Sequence, residues 1–364
     1  MLFVDTFLAP TPGPARRLRA AHRGLAPVIK LANSFLLAGL IACSSDQKPA
    51  DAPSAAGSAA DGGANGGTGA ASAGGTSAGG QLGTFTIALN PAVEDEPAYT
   101  SIFGKVYGGA YPTDVIETVI ASDANCTVFK YSLHACYDPS CTGDQTCVAE
   151  NVCVPKPSPV SVGDVTIAGV GASSLKLTAT NLNYQYPLDL PYPGISEGEP
   201  VTLTGSGGAF AAFTISTEGV APIATSDSSY LVSNDQPLTL TWTPGASSVN
   251  AEVTATLNIS KHGGSAGYML CTTIDSGTLT IAADVLKALV GLGVAGFPEL
   301  LLKRSTHGEA TVAAGTIALE VEAVAKPPLN IEGYCSCFND SDCGSCSDKT
   351  RTSCDSLKRL CKTP

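Results

Sequence analysis

Several residue types on which catalytic and metal sites depend are scarce in this 364-residue chain. It has four histidines, two methionines and one tryptophan, and charged residues make up only 14% of it. His134, His262 and His307 lie far apart with no metal-ligand spacing, which predicts isolated surface side chains. The sequence therefore indicates neither a metal nor a cofactor, and Lys30 and Asn33 interrupt any run of about 20 apolar residues that could span a membrane.

Basic residues are also in the minority. The chain has 32 Asp and Glu residues against 20 Lys and Arg residues, and from residue 43 onward it has 31 acidic against 15 basic residues, a net charge of −16. Such a surface repels phosphate backbones, and no segment alternates aromatic with basic residues. We therefore expect no nucleic acid among the partners of this protein.

Cysteine, in contrast, is abundant. Two clusters contain most of the 13 cysteines: Cys136, Cys141, Cys147 and Cys153 form the first, and Cys335, Cys337, Cys343, Cys346, Cys354 and Cys361 form the second. Segments this short cannot bury enough apolar area to fold without disulfides, so the clusters are typical of small extracellular modules. Two metal sites are alternatives to this interpretation. Zinc could bind at Cys343 and Cys346, but no histidine lies nearby. Calcium could bind at Asp340 and Asp342, but the spaced series of ligands typical of calcium loops is absent.

The segment that ends at Cys43 has the residues of a lipidation signal. Leu40-Ile41-Ala42-Cys43 follows an apolar run that begins at Leu31, directly after Lys30. It resembles the lipobox of bacterial lipoproteins, and the chain as a whole is similar to tethered β-sandwich envelope lipoproteins with cystine-rich modules. This resemblance implies that residues 1–42 are a signal region, that Cys43 carries a covalent lipid anchor, and that the protein sits at the bacterial cell envelope, at the outer membrane or cell surface rather than at the inner membrane.

The number of cysteines fits an oxidising location. One lipidated cysteine leaves twelve, an even number, which an exported protein can keep as disulfides. The six C-terminal cysteines can pair among themselves, but the five between residues 126 and 153 cannot. We therefore predict a disulfide between Cys126, the most detached of the five, and Cys271, which stands alone, and we expect it to tie the insert to the sandwich.

Composition divides the chain into segments. We predict a signal region at 1–42, a lipidated cysteine and flexible tether at 43–82, an N-terminal β segment at 83–135, a cystine-rich insert at 136–157, a β-sandwich at 158–325, a linker at 326–334 and a C-terminal cystine-rich module at 335–364. The tether is predicted because Gly, Ala, Ser, Thr and Asp make up nearly all of it, with no side chain that could build a core.

Hydrophobic periodicity predicts the fold class. The segment 252–260 alternates apolar and polar residues without a break, which is typical of a half-buried strand, and 238–242 and 317–323 follow the same period. Only 283–292 has helical spacing. Short strands separated by turn residues predict a mainly β protein, an antiparallel β-sandwich of immunoglobulin-like or jelly-roll type with one short helix and the two cystine-rich modules.

No catalytic residue is predicted. Gly-x-Ser-x-Gly occurs at 75–79, 194–198 and 263–267, and three matches in a Gly- and Ser-rich chain indicate chance rather than a nucleophile elbow. A ligand site is predicted instead in the Pro-rich segment that contains Tyr184, Tyr186, Asp189 and Tyr192, whose rings and polar groups suit a sugar. The alternative is that these rings cover the end of the sandwich.

Two function classes follow. We expect a non-enzymatic, lipid-anchored envelope or surface protein that binds a glycan or another envelope protein and contacts the membrane through its lipid. The alternative is a secreted hydrolase with a site that is not visible in the sequence.

Overall fold

A computed structural model describes residues 80–93, 96–186, 190–233, 235–246, 249–264 and 266–364. The predicted signal region, the lipidation site Cys43, nearly all of the tether and Asp189 lie outside these residues. Within them the protein is mainly β, as predicted.

The strands are β1 (Gln81–Asn90), β2 (Tyr99–Val106), β3 (Val115–Ser122), β4 (Cys126–Leu133), β5 (Gln145–Ala149), β6 (Val152–Pro155), β7 (Val165–Ala168), β8 (Leu175–Leu177), β9 (Asn183–Gln185), β10 (Pro200–Gly205), β11 (Phe213–Glu218), β12 (Tyr230–Val232), β13 (Leu238–Thr241), β14 (Glu252–Asn258), β15 (Gly267–Ile274), β16 (Thr278–Ile281), β17 (Glu299–Val312), β18 (Gly315–Ala325), β19 (Leu329–Ile331), β20 (Ser353–Asp355) and β21 (Leu360–Lys362). One α-helix, α1 (Ala283–Gly291), precedes β17, and a 3₁₀ helix spans Asp340–Ser345.

A nine-stranded sheet forms one side of the molecule, in the order β3-β4-β15-β14-β17-β18-β1-β2-β9. All its neighbouring strands are antiparallel except β1 and β18, which run parallel with Phe85 opposite Leu319. The predicted N-terminal β segment therefore supplies β1 to β4 of the same sheet that contains β14, β15, β17 and β18. The sheet is mixed because its first strand in the chain lies beside its last.

The molecule also contains a four-stranded sheet with the order β11-β10-β7-β8. Two further pairs of strands form two-stranded ribbons, β13–β16 and β12–β19. Ile87 from the large sheet and Ile167 and Leu203 from the small sheet belong to one continuous buried core. Where β11 crosses β17, a side chain at Gly308 would overlap the carbonyl oxygen of Ser216. Glycine therefore permits the close approach of the two strands.

The helix forms where helical spacing predicts it. Val285, Leu286 and Leu289 of α1 are buried, and Asp284 lies in the first turn, where a negative charge is favourable. The helix ends before Gly293, whose φ of 108° no helix accommodates. Among the described residues, neither helix has the length and hydropathy needed to cross a bilayer.

The end of the predicted tether and the predicted linker both contribute strands to the fold. The predicted tether extends to residue 82, but Leu82 lies in β1 and is fully buried. An irregularity in register between Gln81 and Gly83 breaks the alternation that would have revealed it. The predicted linker 326–334 contains β19, which pairs with β12 and buries Leu329 and Ile331.

All twelve cysteines of the described residues form disulfides. The pairs are Cys126–Cys271, Cys136–Cys147, Cys141–Cys153, Cys335–Cys346, Cys337–Cys354 and Cys343–Cys361. Cys126 and Cys271 pair as predicted, but they join the neighbouring strands β4 and β15 rather than tying the insert to the sandwich. The zinc alternative at Cys343 and Cys346 is wrong, because both sulfurs are bonded to other cysteines.

Candidate functional site

Tyr184, the centre of the predicted sugar site, is a core residue. Its side chain is fully buried and its ring packs against Phe85, with ring centroids 5.3 Å apart. The hydroxyl accepts a hydrogen bond from the Val162 amide at 2.8 Å and donates one to the Gly163 carbonyl at 2.9 Å. The prediction that Tyr184 contacts a ligand is therefore wrong, because both its faces and its hydroxyl are occupied within the protein.

The neighbouring tyrosines follow the alternative interpretation. Tyr186 and Tyr192 are half-buried and pack against the main core, and burial raises the pKa of Tyr192. The rings thus contribute to the core rather than form an open aromatic platform. Asp189 lies outside the described residues, so its part of the predicted site stays a prediction.

His307 has a partner that the sequence analysis missed. On β17 its Nε2 lies 3.1 Å from the hydroxyl of Ser305, and Glu320 of β18 is directly opposite it. The sequence spacing of two residues could have revealed this partner, because it puts Ser305 and His307 on the same face of a strand. Ser305 is only 1% exposed, and β17 pairs on both sides at this position, so its neighbouring amides belong to the sheet ladder. The pair therefore lacks the oxyanion donors of a serine hydrolase.

An ionic cluster lies beside this pair. Lys303 forms an ion pair with Glu320 and lies 3.6 Å from Glu322. Burial, together with the charge of Glu320, raises the pKa of Glu322. Desolvation acts to lower the pKa of Lys303, but the two carboxylates outweigh it and raise that pKa. Two carboxylates thus share the single positive charge of Lys303 across two neighbouring strands.

One fully buried cation organises the core. Arg304 is 1% exposed, and its guanidinium donates to the Asp275 carboxylate at 2.7 and 3.1 Å. It also donates to the carbonyls of Ala221, Pro222 and Thr243. These bonds use the fixed fork of the guanidinium to hold three separate loops around β17.

Asp275 completes this network. It accepts hydrogen bonds from the Trp242 indole at 2.7 Å and from the Gly245 amide at 2.8 Å. Burial alone would raise the pKa of Asp275, but the hydrogen bonds from Arg304, Trp242 and Gly245 outweigh it and hold that pKa below its ordinary value. In the described part of the chain, no buried side-chain nitrogen or oxygen lacks a partner. The hydrogen bonds of the network are thus all directed at groups of the protein itself.

A surface cleft of about 330 Å³ lies where the turn after β14 meets the start of β17 and the segment before β19. It is lined by Lys261, His262, Phe297, Pro298, Glu299, Leu300, Lys326, Pro327 and Pro328. Its volume falls at the lower end of the range for small-ligand sites, and its walls combine apolar surface with a few polar groups, as such sites do. Sequence patterns could not reveal it, because its lining comes from three separate stretches of the chain.

The walls of the cleft are fixed by the fold. The Phe297 amide donates to the Lys261 carbonyl at 2.8 Å, and a side chain at Gly296 would overlap that same carbonyl. Gly296 has a φ of 60°, so glycine suits both the backbone conformation and the close approach. Lys261 forms an ion pair with Glu299 across one wall. These contacts within the protein hold the walls of the cleft in place without a ligand.

The C-terminal cystine-rich module supports the cleft. Ser336 donates to the Gly296 carbonyl at 2.6 Å, and the Gly296 amide donates to the Lys358 carbonyl at 2.6 Å. The ring of Phe338 stacks on Phe297, with centroids 4.3 Å apart. The module thus positions one of the lining residues through an aromatic stack and two hydrogen bonds.

Two cleft side chains are available to a ligand. Lys326 is exposed and forms no ion pair with any described residue. His262 is also exposed, and its φ of 60° is uncommon for a residue other than glycine. Since non-glycine residues adopt this conformation mainly where the surrounding structure requires it, the turn holds the imidazole at the edge of the cleft.

The acidic residues of the C-terminal module act as caps. Asp342 accepts hydrogen bonds from the amides of Phe338 and Asn339, and Asp340 accepts one from the Cys354 amide. Asn339 and Asp342 form a capping box at the start of the 3₁₀ helix, whereas the Asp340 bond connects this helix to β20. The turn interpretation of these residues accounts for their positions without a calcium ion.

No protein family profile and no curated protein matches this chain. Among solved structures, the crystal structure of the FN1–FN3 domains of chicken CNTN1 resembles it with 8% sequence identity, covering 62% of this chain and 69% of that one, at a TM-score of 0.16. We base no conclusion about this protein on a similarity of that size.

Proposed function

We propose that this protein is a non-enzymatic binding module, held at the bacterial cell envelope by a lipid on Cys43, and that it binds its ligand in the cleft between Lys261 and Lys326. The observation that carries the proposal is the cleft, with its walls fixed by Gly296 and by the C-terminal module. A site that is rigid before binding loses less conformational entropy when a ligand enters.

The ionisable groups favour binding over hydrolysis. Within the cleft, Lys261 and Glu299 are bound to each other rather than aimed at a common point. A nucleophile needs a base within hydrogen-bond reach and room for the substrate. Ser305 lies within hydrogen-bond reach of His307, but it has no room for a substrate because it is buried on a strand that pairs on both sides.

Lipid anchoring is tested by metabolic labelling with radioactive palmitate. We expect the wild-type protein to incorporate label and a Cys43→Ser variant to incorporate none. A Ser45→Ala variant, which keeps Leu40-Ile41-Ala42-Cys43, is the matched control and retains the label. Incorporation that persists in Cys43→Ser contradicts an anchor at this residue.

Ligand binding in the cleft is tested with the full-length Cys43→Ser protein on a glycan array and a panel of envelope proteins. A Lys326→Glu substitution reverses the charge of the exposed cleft lysine and is expected to abolish binding. Lys287→Glu reverses the charge of an exposed lysine on α1, outside the cleft, and is expected to leave binding unchanged. A ligand that Lys326→Glu retains would bind elsewhere on the protein.

A further inference from the structure

The lining of the cleft combines a lysine without an ion pair to any described residue with aromatic and proline rings. We infer that its ligand is a saccharide that carries a carboxylate, with the carboxylate on Lys326 and the sugar ring against Phe297 and the prolines. This inference rests on the proposed function and specifies the ligand class of the same site.

The distribution of charge favours an anion at this end of the molecule. The C-terminal module, residues 335–364, has five basic and four acidic residues, whereas residues 80–334 have nine basic and 24 acidic residues. The module that carries this small excess of positive charge is bonded to Gly296, next to the lining residue Phe297, so an anion is repelled less there than by the acidic remainder of the chain. Lys326 then offers a positive charge that no described residue neutralises.

The prolines in the lining argue against an extended peptide. Peptides that bind at a sheet edge need backbone amides and carbonyls to continue the ladder. Pro298, Pro327 and Pro328 have no amide hydrogen, and Pro328 already forms a bridge with Glu299 at the start of β17. The three prolines therefore leave the cleft with fewer backbone donors than a sheet-edge peptide site offers.

The remaining groups suit a sugar ring. Phe297, with Pro327 and Pro328, supplies rigid apolar surface for the carbon-bound hydrogens of a pyranose, and burial of such surface favours binding. His262 at the edge adds a group that can exchange hydrogen bonds with hydroxyls. A carboxylated sugar matches all three kinds of group, whereas a neutral sugar leaves Lys326 unused.

Calorimetric titration of the full-length Cys43→Ser protein with trigalacturonate and with neutral galactotriose tests this inference. We expect trigalacturonate to bind at least tenfold more tightly than the neutral trimer, and its affinity to fall as salt screens the lysine. Lys326→Gln is expected to weaken trigalacturonate binding about tenfold, which corresponds to the loss of one charge-assisted hydrogen bond. Lys326→Arg keeps most of the affinity, and Lys287→Gln keeps all of it.

Equal affinity for the two trimers, or trigalacturonate binding that Lys326→Gln does not weaken, would overturn the inference. Tighter binding of triglutamate than of trigalacturonate would assign the site to acidic peptides instead. A third outcome separates the inference from the proposed function. If neither acidic trimer binds, but the Lys326→Glu variant no longer binds some other ligand of the array, the ligand class is wrong and the proposed binding function stands. Absence of any Lys326-dependent ligand, together with failure of palmitate labelling, overturns the proposed function itself.

Discussion

The sandwich and the cystine-rich modules are stabilised by different means. The sandwich has a continuous core of fully buried apolar side chains around the Arg304 network. The C-terminal module has a separate buried cluster composed of Cys337, Cys343, Cys346 and Cys361. Thirty residues cannot bury enough apolar area for stability, so disulfides supply what the hydrophobic effect supplies in the larger region.

The two modules also differ from each other. In the insert, the four cysteines are only half-buried, and the disulfides hold the small β5–β6 hairpin. The C-terminal module is bonded to Gly296 and stacked on Phe297. Only the C-terminal module therefore contributes to the geometry of the cleft.

The largest loss of stability is expected from the substitution Asp275→Ala, because it leaves the buried charge of Arg304 without its carboxylate partner. We expect the free energy of unfolding to fall by about 3 to 5 kcal/mol, because breaking a buried ion pair leaves an uncompensated charge. Urea unfolding with disulfides intact measures this loss. Asp235→Ala, at an exposed aspartate, is the control and is expected to change stability by less than about 0.5 kcal/mol.

An apolar double substitution sharpens this comparison. Arg304→Met with Asp275→Leu removes both charges but leaves the Trp242 indole, the Gly245 amide and the Thr243 carbonyl without partners. We therefore expect the double variant to remain destabilised, since unpaired buried polar groups cost about 1 to 3 kcal/mol each. Wild-type stability in the double variant would show that the network is dispensable.

The next largest loss of stability is expected when Cys343 and Cys361 are both replaced by alanine. Removing this disulfide costs about 2 to 4 kcal/mol of local stability. Amide hydrogen exchange is expected to accelerate over 335–364, and ligand binding in the cleft is expected to weaken. The matched substitution, Cys136→Ala with Cys147→Ala, is expected to accelerate exchange only over 136–157 and to leave the cleft unchanged. Equal effects of the two pairs on ligand binding would contradict the distinction between the modules.

Acid should weaken the sandwich through Asp275. Its pKa is lower in the folded protein than its ordinary value of 3.8, so its contribution to stability is present above that value and is lost as the pH falls through the folded pKa. We expect the stability difference between wild type and Asp275→Asn to be largest near neutral pH and to shrink below about pH 4. Urea unfolding at a series of pH values measures it, and a difference independent of pH would contradict the assignment.

The smallest loss of stability is expected at Tyr268 on β15, which lies between β4 and β14 in the large sheet. Burial, together with the hydrogen bond to Glu117, raises the pKa of Tyr268 to about 12. Stability from this neutral phenol is present below the ordinary pKa of 10.0 and is lost as the pH rises through about 12. Glu117→Gln is expected to lower this pKa only partly, because burial remains. Resonance titration of Tyr268 measures it, with Glu150→Gln as an unaffected control.

Regular alternation made much of the fold predictable. The patterns at 238–242, 252–260 and 317–323 all correspond to strands with one buried face, and the spacing at 283–292 corresponds to α1. Strand β17 was missed because Leu300, Leu301 and Leu302 are consecutive apolar residues, whose period does not distinguish strand from helix.

The candidate site was not predictable, for a different reason. Lys261, Phe297 and Lys326 come together only through the pairing of strands that are distant in the chain. The predicted tyrosine site was wrong at Tyr184, because an aromatic ring in a Pro-rich segment can pack into a core as well as it can contact a ligand. Sequence composition records which groups are present but not which of them face each other.

The parallel pairing of β1 with β18 has a consequence for how the chain folds. The strand that begins at Gln81 finds its neighbour at Thr316, more than two hundred residues further on. Pairing so distant in sequence is slow, because a long loop must close before the contact forms. Until β18 is synthesised, one backbone edge of β1 stays open to other chains, so a polypeptide truncated before Gly315 is expected to aggregate.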